Sequence, residues 1–230
     1  MTVKINGVHH LAVCTRDIKA QIEFFSDVLG AELVALYWMH GVEGAWHGFV
    51  KLHDTSYLAF VQTDGMAEIE PELGVTHAGW AGGDAAGGTM QHVAFNVDNE
   101  EDLLTLRDRI RSRGINVWGP VDHGMCKSMY FAGLEDLTLE VATSEAPVDA
   151  RAWIDPEVVE LAGISPDELA AFTSPARYAG EGGTIPQPPV DPSKPHSRGM
   201  SPERYQRSLT TPDDVISQPT RFSKPPVEVD

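Results

Sequence analysis

The stretch GVHHLAV at residues 7–13 has a counterpart in the stretch MQHVAFNV at residues 90–97. Each is a short apolar run that contains a histidine, and each precedes a segment with helical spacing of its apolar residues. The first helical segment ends at Gly30 and the second at Gly114. Three short strand-like segments then follow in both copies. The sequence therefore predicts a domain of the α+β class, in which one βαβββ module is written twice.

The predicted elements fill two parts of the chain, module 1 at about residues 5–65 and module 2 at about residues 89–144. A linker rich in glycine and alanine, residues 78–88, joins them. The helices are predicted from apolar residues at intervals of three and four, namely Ile18, Ile22, Phe25, Val28 and Leu29, then Leu103, Leu106 and Ile110. The remaining strands are predicted at 33–38, 48–52 and 56–62, and at 115–118, 127–131 and 137–141.

The prolines indicate where this domain ends. Of 16 prolines, only Pro71 and Pro120 precede residue 145, and such a density excludes long helices and central strands. We therefore predict a domain at 1–144 and a proline-rich extension at 145–230. Within the extension, helices are expected after Asp155 and near Ser165. Beyond about residue 175 we expect an extended arm, either packed on a neighbouring surface or disordered. The extension offers apolar anchors at Trp153, Tyr178, Tyr205 and Phe222.

The charge balance excludes several classes of function. The chain has 17 lysines and arginines against 34 acidic residues, a net charge of −17, so nucleic acids and anionic membrane surfaces are not expected partners. No apolar run approaches the roughly 20 residues that span a bilayer. The first residues lack the apolar core of a secretory signal. With only Cys14 and Cys126, no disulfide framework is expected, and we predict a cytoplasmic protein.

Three residues of the two modules have the chemistry of metal ligands. His10 and His92 occupy matching positions in the first strands, and Glu140 lies in the apolar strand LTLEV at residues 137–141. A carboxylate in such a strand is costly to bury unless it is paired with a positive charge. Two imidazoles and a carboxylate suit Fe(II), Mn(II), Zn(II), Ni(II) or Co(II). His9 competes with His10, because adjacent side chains of a strand face opposite ways.

The pattern resembles the vicinal oxygen chelate superfamily of glyoxalases, epimerases, bleomycin-resistance proteins and extradiol dioxygenases. The resemblance covers about residues 5–144 and rests on HLAV at 10–13, FFSDVLG at 24–30, HVAF at 92–95 and YF at 130–131. It implies a half-open barrel of two modules around one metal site. It also implies that His10, His92 and Glu140 bind a divalent metal, since the family's register favours His10 over His9.

The extradiol branch is the most similar within this superfamily. Many glyoxalases and epimerases have a fourth ligand on the last strand of module 1, where this chain has Ala59; Gln62 would fit only with a shifted register. Open coordination positions suit Fe(II) oxygenases. The spacing of His123, Tyr130 and Glu140 also resembles the extradiol motif, which implies catalytic roles for His123 and Tyr130. The family's Asp-Pro-x-Gly turn is absent, and its other base histidine has no clear counterpart, with His47 and His53 nearest.

Three functions follow as hypotheses. The first is an Fe(II) extradiol dioxygenase that cleaves a small catecholic substrate with O2, acting as a homo-oligomer. The second is a glyoxalase- or epimerase-like lyase or isomerase that uses the same ligands to hold a Lewis-acid metal. The third is a metal-free binding protein with an aromatic groove, for which Tyr37, Trp38 and Trp46 are the candidate walls.

Overall fold

A computed structural model of the chain describes residues 5–220 and 223–228, so that Phe222 lies outside the described residues. The described part forms two compact units. Residues 6–173 make up the first, and residues 174–220 and 223–228, together with Ile5, belong to the second. Among the described residues no helix is both long and apolar enough to cross a membrane.

The unit at 6–173 contains two four-stranded sheets. The first has the order β1-β4-β3-β2 and consists of β1 (His10–Cys14), β2 (Glu32–Trp38), β3 (Trp46–His53) and β4 (Ser56–Gln62). The second repeats this as β5-β8-β7-β6, with β5 (Val93–Asn96), β6 (Trp118–Asp122), β7 (Lys127–Ala132) and β8 (Thr138–Thr143). In both, the outer first strand runs parallel to the last strand, and the other pairs are antiparallel. The prediction of two tandem βαβββ modules in an α+β fold is confirmed.

Each module has one helix between its first two strands. Helix α1 (Ile18–Phe24) begins at Asp17, whose side chain accepts a hydrogen bond from the backbone N–H of Ala20, and it continues into a π-helical turn (Phe25–Leu29). Helix α2 (Glu100–Ser112) begins at Asn99 in the same way. Gly30 ends the first helical segment with a φ of 78°, the left-handed conformation that favours glycine.

Both modules contribute to a single hydrophobic core. Phe25 is fully buried and lies with its ring centroid 5.3 Å from that of Phe60 in β4 and 6.1 Å from that of Phe95 in β5. Leu103 and Ile110 of α2 are also fully buried in this cluster. Each sheet therefore turns one face toward the shared core. Because side chains alternate along a strand, the opposite face of each sheet is left open.

Strand β6 differs from its prediction. The apolar pattern predicted a strand at 115–118, whereas β6 runs from Trp118 to Asp122 and includes Pro120. Proline removes a backbone donor, and the prediction ended the strand before it. The proline is accommodated because β6 is the outer strand of its sheet, where one edge needs no hydrogen bonds.

Five short helices follow the modules in the part of the C-terminal region that the structure describes. The predicted helix after Asp155 is confirmed as α4 (Pro156–Leu161), and the backbone N–H of Glu157 in its first turn donates to the Asp155 carboxylate. Helices α3 (Ala150–Trp153) and α5 (Pro166–Thr173) flank α4. The prediction of an extended arm beyond 175 is wrong where α6 (Pro202–Thr210) and α7 (Asp213–Ile216) form. Proline at the first helical position needs no N–H partner, so α6 tolerates Pro202. The boundary at residues 144–145 stays a prediction.

A half-buried carboxylate joins the two modules. Glu135, in the turn between β7 and β8, accepts hydrogen bonds from the hydroxyl of Thr15 (2.6 Å), the backbone N–H of Arg16 (2.8 Å) and the side-chain amide of Gln21 (2.8 Å). Its backbone has a φ of 54°, which is unfavourable for a residue with a Cβ. Burial alone would raise the pKa of Glu135, but these hydrogen bonds together outweigh burial and lower it.

We expect Glu135→Gln to destabilise the protein by about 1–3 kcal/mol at neutral pH, because an amide cannot accept from all of these donors. A carboxyl with a lowered pKa in the folded state contributes stability above its unfolded pKa, and this stability is lost as pH falls through the folded pKa. The difference between wild type and variant should therefore shrink below about pH 4. Urea unfolding at several pH values measures it, and a difference that is constant with pH would contradict the assignment.

Candidate metal centre

The open face of the second sheet carries the most complete group of predicted site residues. In the strand register Glu140 of β8 lies between Ala94 of β5 and Tyr130 of β7. Its side chain is only 7% exposed. His92 immediately precedes β5, and its Nε2 lies 2.8 Å from Oε2 of Glu140. The structure thus brings together two of the three predicted metal ligands, and the buried carboxylate has the positively chargeable partner that its burial requires.

Tyr130 and His123 extend this group toward the outer strands. The hydroxyl oxygen of Tyr130 lies 2.9 Å from Nε2 of His123, which is in the turn between β6 and β7. The ring of Trp118 in β6 packs against that of Tyr130, with their centroids 5.5 Å apart. Burial, and next the negative charge of Glu140, raise the pKa of Tyr130. Its hydroxyl therefore keeps its proton at neutral pH and can donate a hydrogen bond.

The register of the first sheet shows which of its residues correspond to this group. In the first sheet Ala59 lies between Ala12 and Phe49. In the second sheet Glu140 lies between Ala94 and Tyr130 in the same way. Ala59 is therefore the counterpart of Glu140, as the sequence predicted. The alternative, Gln62, is engaged elsewhere, because its side-chain oxygen accepts a hydrogen bond of 2.7 Å from the N–H of Ile18.

His10 lies on the open face of the first sheet, apart from His92 and Glu140. Its Nδ1 is 2.9 Å from Nδ1 of His9, and its ring packs edge-on against Phe49. Within residues 5–220 and 223–228, no three histidine, cysteine, aspartate or glutamate side chains are grouped closely enough to hold a metal ion. In one copy of the chain, His92 and Glu140 are therefore adjacent, and the third predicted ligand, His10, lies separately on the other sheet.

An aromatic cluster beside His10 was not predicted as a unit. Tyr37 pairs with His47 across β2 and β3 and stacks on Phe49, with an interplanar angle of 7°. The centroids of the His47 and Phe49 rings are 4.5 Å apart, and Nε2 of His47 is buried without a hydrogen-bond partner. Burial, and next the charges of His10 and His40, lower the pKa of His47. His47 and Phe49 are two residues apart, which predicts that they share one face of a strand. Their packing against Tyr37 could not be predicted, because it depends on how β2 pairs with β3.

The other candidate histidine, His53, lies exposed at the end of β3 opposite Ser56 and takes no part in this cluster.

Residues 7–140 match the family model of the Glyoxalase/Bleomycin resistance protein/Dioxygenase superfamily. The chain belongs to this superfamily. The match covers both modules and includes His10, His92, Tyr130 and Glu140. The superfamily contains dioxygenases, glyoxalases and fosfomycin-modifying enzymes, so membership leaves the reaction open.

Solved structures and curated proteins give more distant similarities. A glyoxylase/bleomycin resistance protein/dioxygenase domain from Frankia sp. EAN1pec is 14% identical, over 62% of this chain and all of that one, with a TM-score of 0.49. The fosfomycin resistance protein FosX of Listeria monocytogenes, solved with Mn(II) and sulfate, is 16% identical over 61% of this chain and 94% of that one, with a TM-score of 0.41.

Among curated proteins, GTPase Obg of Listeria innocua is 37% identical over 127 residues. The match covers 51% of this chain but only 28% of the GTPase. The chain contains no G-x-x-x-x-G-K-S/T loop, the motif that binds nucleotide phosphates in P-loop proteins.

We expect His47 to titrate below the ordinary pKa of about 6.5 for histidine. Burial disfavours the charged imidazolium, and the nearby imidazoles add repulsion when they are protonated. The measurement is a proton NMR titration of the histidine C2 signals, with His47→Gln to assign the resonance. A His47 signal that titrates at or above about pH 6.5 would contradict the buried placement.

Proposed function

We propose that the protein is a divalent-metal-dependent enzyme, and specifically an Fe(II) extradiol-type dioxygenase that cleaves a catecholic ring with O2. The observation that carries this proposal is the buried Glu140 beside His92, with the Tyr130 hydroxyl and His123 next to it on one open face. A metal ligand pair and a neutral hydrogen-bond donor in this arrangement suit a substrate that offers two adjacent oxygens. Ala59 stands where related enzymes have a fourth ligand and has no donor atom, so a bound metal would keep coordination positions open for substrate and O2.

The donor set suits such an ion. An imidazole nitrogen and a carboxylate oxygen already face each other, and both are common ligands of Fe(II). The third donor in this proposal is His10, supplied by a second copy of the chain. β1 and β5 are both outer strands with one unpaired edge, so module 1 of one copy can meet module 2 of another. Such a pairing is reciprocal and forms two equivalent sites in a symmetric dimer.

The side chains of this chain have separable tasks in the reaction. A bound Fe(II) would supply the redox chemistry that links the diol to O2. Tyr130 keeps its proton and donates a hydrogen bond to a substrate oxygen, which stabilises negative charge there. His123 can donate its Nε2–H to the Tyr130 oxygen, which leaves the single O–H of Tyr130 for the substrate. Nδ1 of His123 is then the atom that can accept the proton that a diol loses on binding. Trp118 on this face, and Phe49 on the facing one, supply apolar surface that limits access of water.

We expect His10→Ala, His92→Ala and Glu140→Ala each to abolish stoichiometric binding of Fe(II), because each removes one of three ligands. Elemental mass spectrometry of protein loaded anaerobically with Fe(II) measures this. His9→Ala is the matched control and should retain its iron, because in this register His10 and not His9 is the ligand. Full iron content in all three variants would exclude the site. An equal loss of iron in His9→Ala would contradict the assignment of His10 rather than His9 as the ligand.

Mixing the variants tests whether the site is shared between copies. If His10 comes from the second copy, refolding His10→Ala together with Glu140→Ala should restore about one quarter of the wild-type iron, because half of the dimers are mixed and each of these has one intact site. Neither variant alone should bind iron. If the mixture binds none while wild type binds stoichiometrically, the ligands come from a single chain.

For the reaction, we expect the iron-loaded protein to consume O2 with a catechol and to form a yellow ring-cleavage product. Tyr130→Phe should lower kcat roughly 100-fold, as losses of hydrogen-bond donors to developing charge do, with the iron content unchanged. An oxygen electrode and the absorbance of the product measure both. Turnover of a substrate without O2, supported equally by Zn(II) or Mn(II), would instead establish a lyase or isomerase.

A further inference from the structure

The linker between the modules contains a closely packed turn at residues 80–83. The backbone N–H of Gly83 donates a hydrogen bond of 2.9 Å to the carbonyl of Trp80. A Cβ on Gly82 would overlap the indole ring of Trp80, and a Cβ on Gly83 would overlap the carbonyl oxygen of Ala78. Gly83 is therefore required by packing, because the backbone carbonyl of Ala78 cannot move aside as the exposed ring of Trp80 can. By contrast, a Cβ on Gly87, four residues further on, would meet open space.

Gln91 connects this turn to His92. Its side-chain nitrogen donates to the carbonyl oxygens of Trp80 and Gly83, both at 3.2 Å. The amide cannot be turned over, because its oxygen would then face two other acceptors. The amide oxygen therefore points the other way, where it contacts Nδ1 of His92. An oxygen acceptor at that position requires Nδ1 to carry a hydrogen, and the same ring orientation turns Nε2 toward Glu140.

We propose that Gln91 is a positioning residue for His92 and that the turn at 80–83 holds Gln91 in place. The inference rests on the proposed function in one respect, that His92 binds the metal. The two carbonyls of the turn orient the Gln91 amide, the amide selects the tautomer and ring orientation of His92, and Nε2 is thereby presented to the ion. Partners of this kind outside the ligand set typically contribute 10–100-fold to metal affinity.

The test compares three variants of the full chain. Gln91→Leu removes the amide at similar volume, Gly83→Ala disrupts the turn without touching His92, and Gly87→Ala is the matched control in the same linker. Affinity is measured with Co(II) in competition with a chelator. We expect Gln91→Leu and Gly83→Ala to weaken Co(II) binding about 10–100-fold, with the double variant no weaker than either alone. Gly87→Ala should bind like wild type.

A second measurement does not depend on metal. Long-range 1H–15N NMR of the metal-free protein reports which nitrogen of His92 carries the hydrogen. We expect a hydrogen on Nδ1 of His92 in wild type, and its partial or complete loss in Gln91→Leu, because the Glu140 carboxylate then competes for the hydrogen at Nε2. If neither the tautomer nor the Co(II) affinity changes in Gln91→Leu, the proposal is wrong. If wild type binds no Co(II) but the tautomer still depends on Gln91, the positioning stands and the proposed metal function fails.

Discussion

The shared core is the constraint on which the rest of the structure depends. Phe25 lies between Phe60 of one sheet and Phe95 of the other, so both sheets must turn one face inward to the same apolar cluster. Alternation along each strand then places every second side chain on an open face. His10 and Glu140 belong to these open faces because their neighbours in sequence belong to the core. Two polar contacts across the modules fix the relative orientation that a non-directional core cannot: Glu135 accepts from Thr15, and the side chain of Arg109 in α2 donates to the carbonyl of Val28.

The two modules have the same register but different chemistry. Where the second sheet places Glu140 beside Tyr130, the first places Ala59 beside Phe49. At the matched positions the duplication therefore provides two histidines but only one carboxylate, and Phe49 stands where the second sheet has Tyr130. A site assembled from one face of each kind is polar on one side and aromatic on the other. This asymmetry favours a planar substrate that is held through its oxygens at one side and packed against rings at the other.

Much of the fold could be predicted from the sequence, because strand alternation, helical spacing and the repeat are local patterns. The placement of Ala59 at the position of the family's fourth ligand was likewise predicted, from an alignment to the family's strands. Contacts between distant residues could not be predicted this way. Glu135 contacts Thr15 across 120 positions, and the pairing of Tyr37 with His47 depends on register. The assignment of three ligands to one site also could not be decided, since a repeat predicts equivalent positions without stating which copies meet.

A connecting segment is usually regarded as a tether, but here its hydrogen bonds give it a more specific task. Glu140 is oriented toward His92, His92 contacts Gln91, and Gln91 is bonded to the carbonyls of the turn at 80–83. All of these contacts lie within one chain. If a second copy supplies His10, two of the three ligands are already aligned before the copies associate. Association then orders a single imidazole, which costs less conformational entropy than ordering three separate side chains.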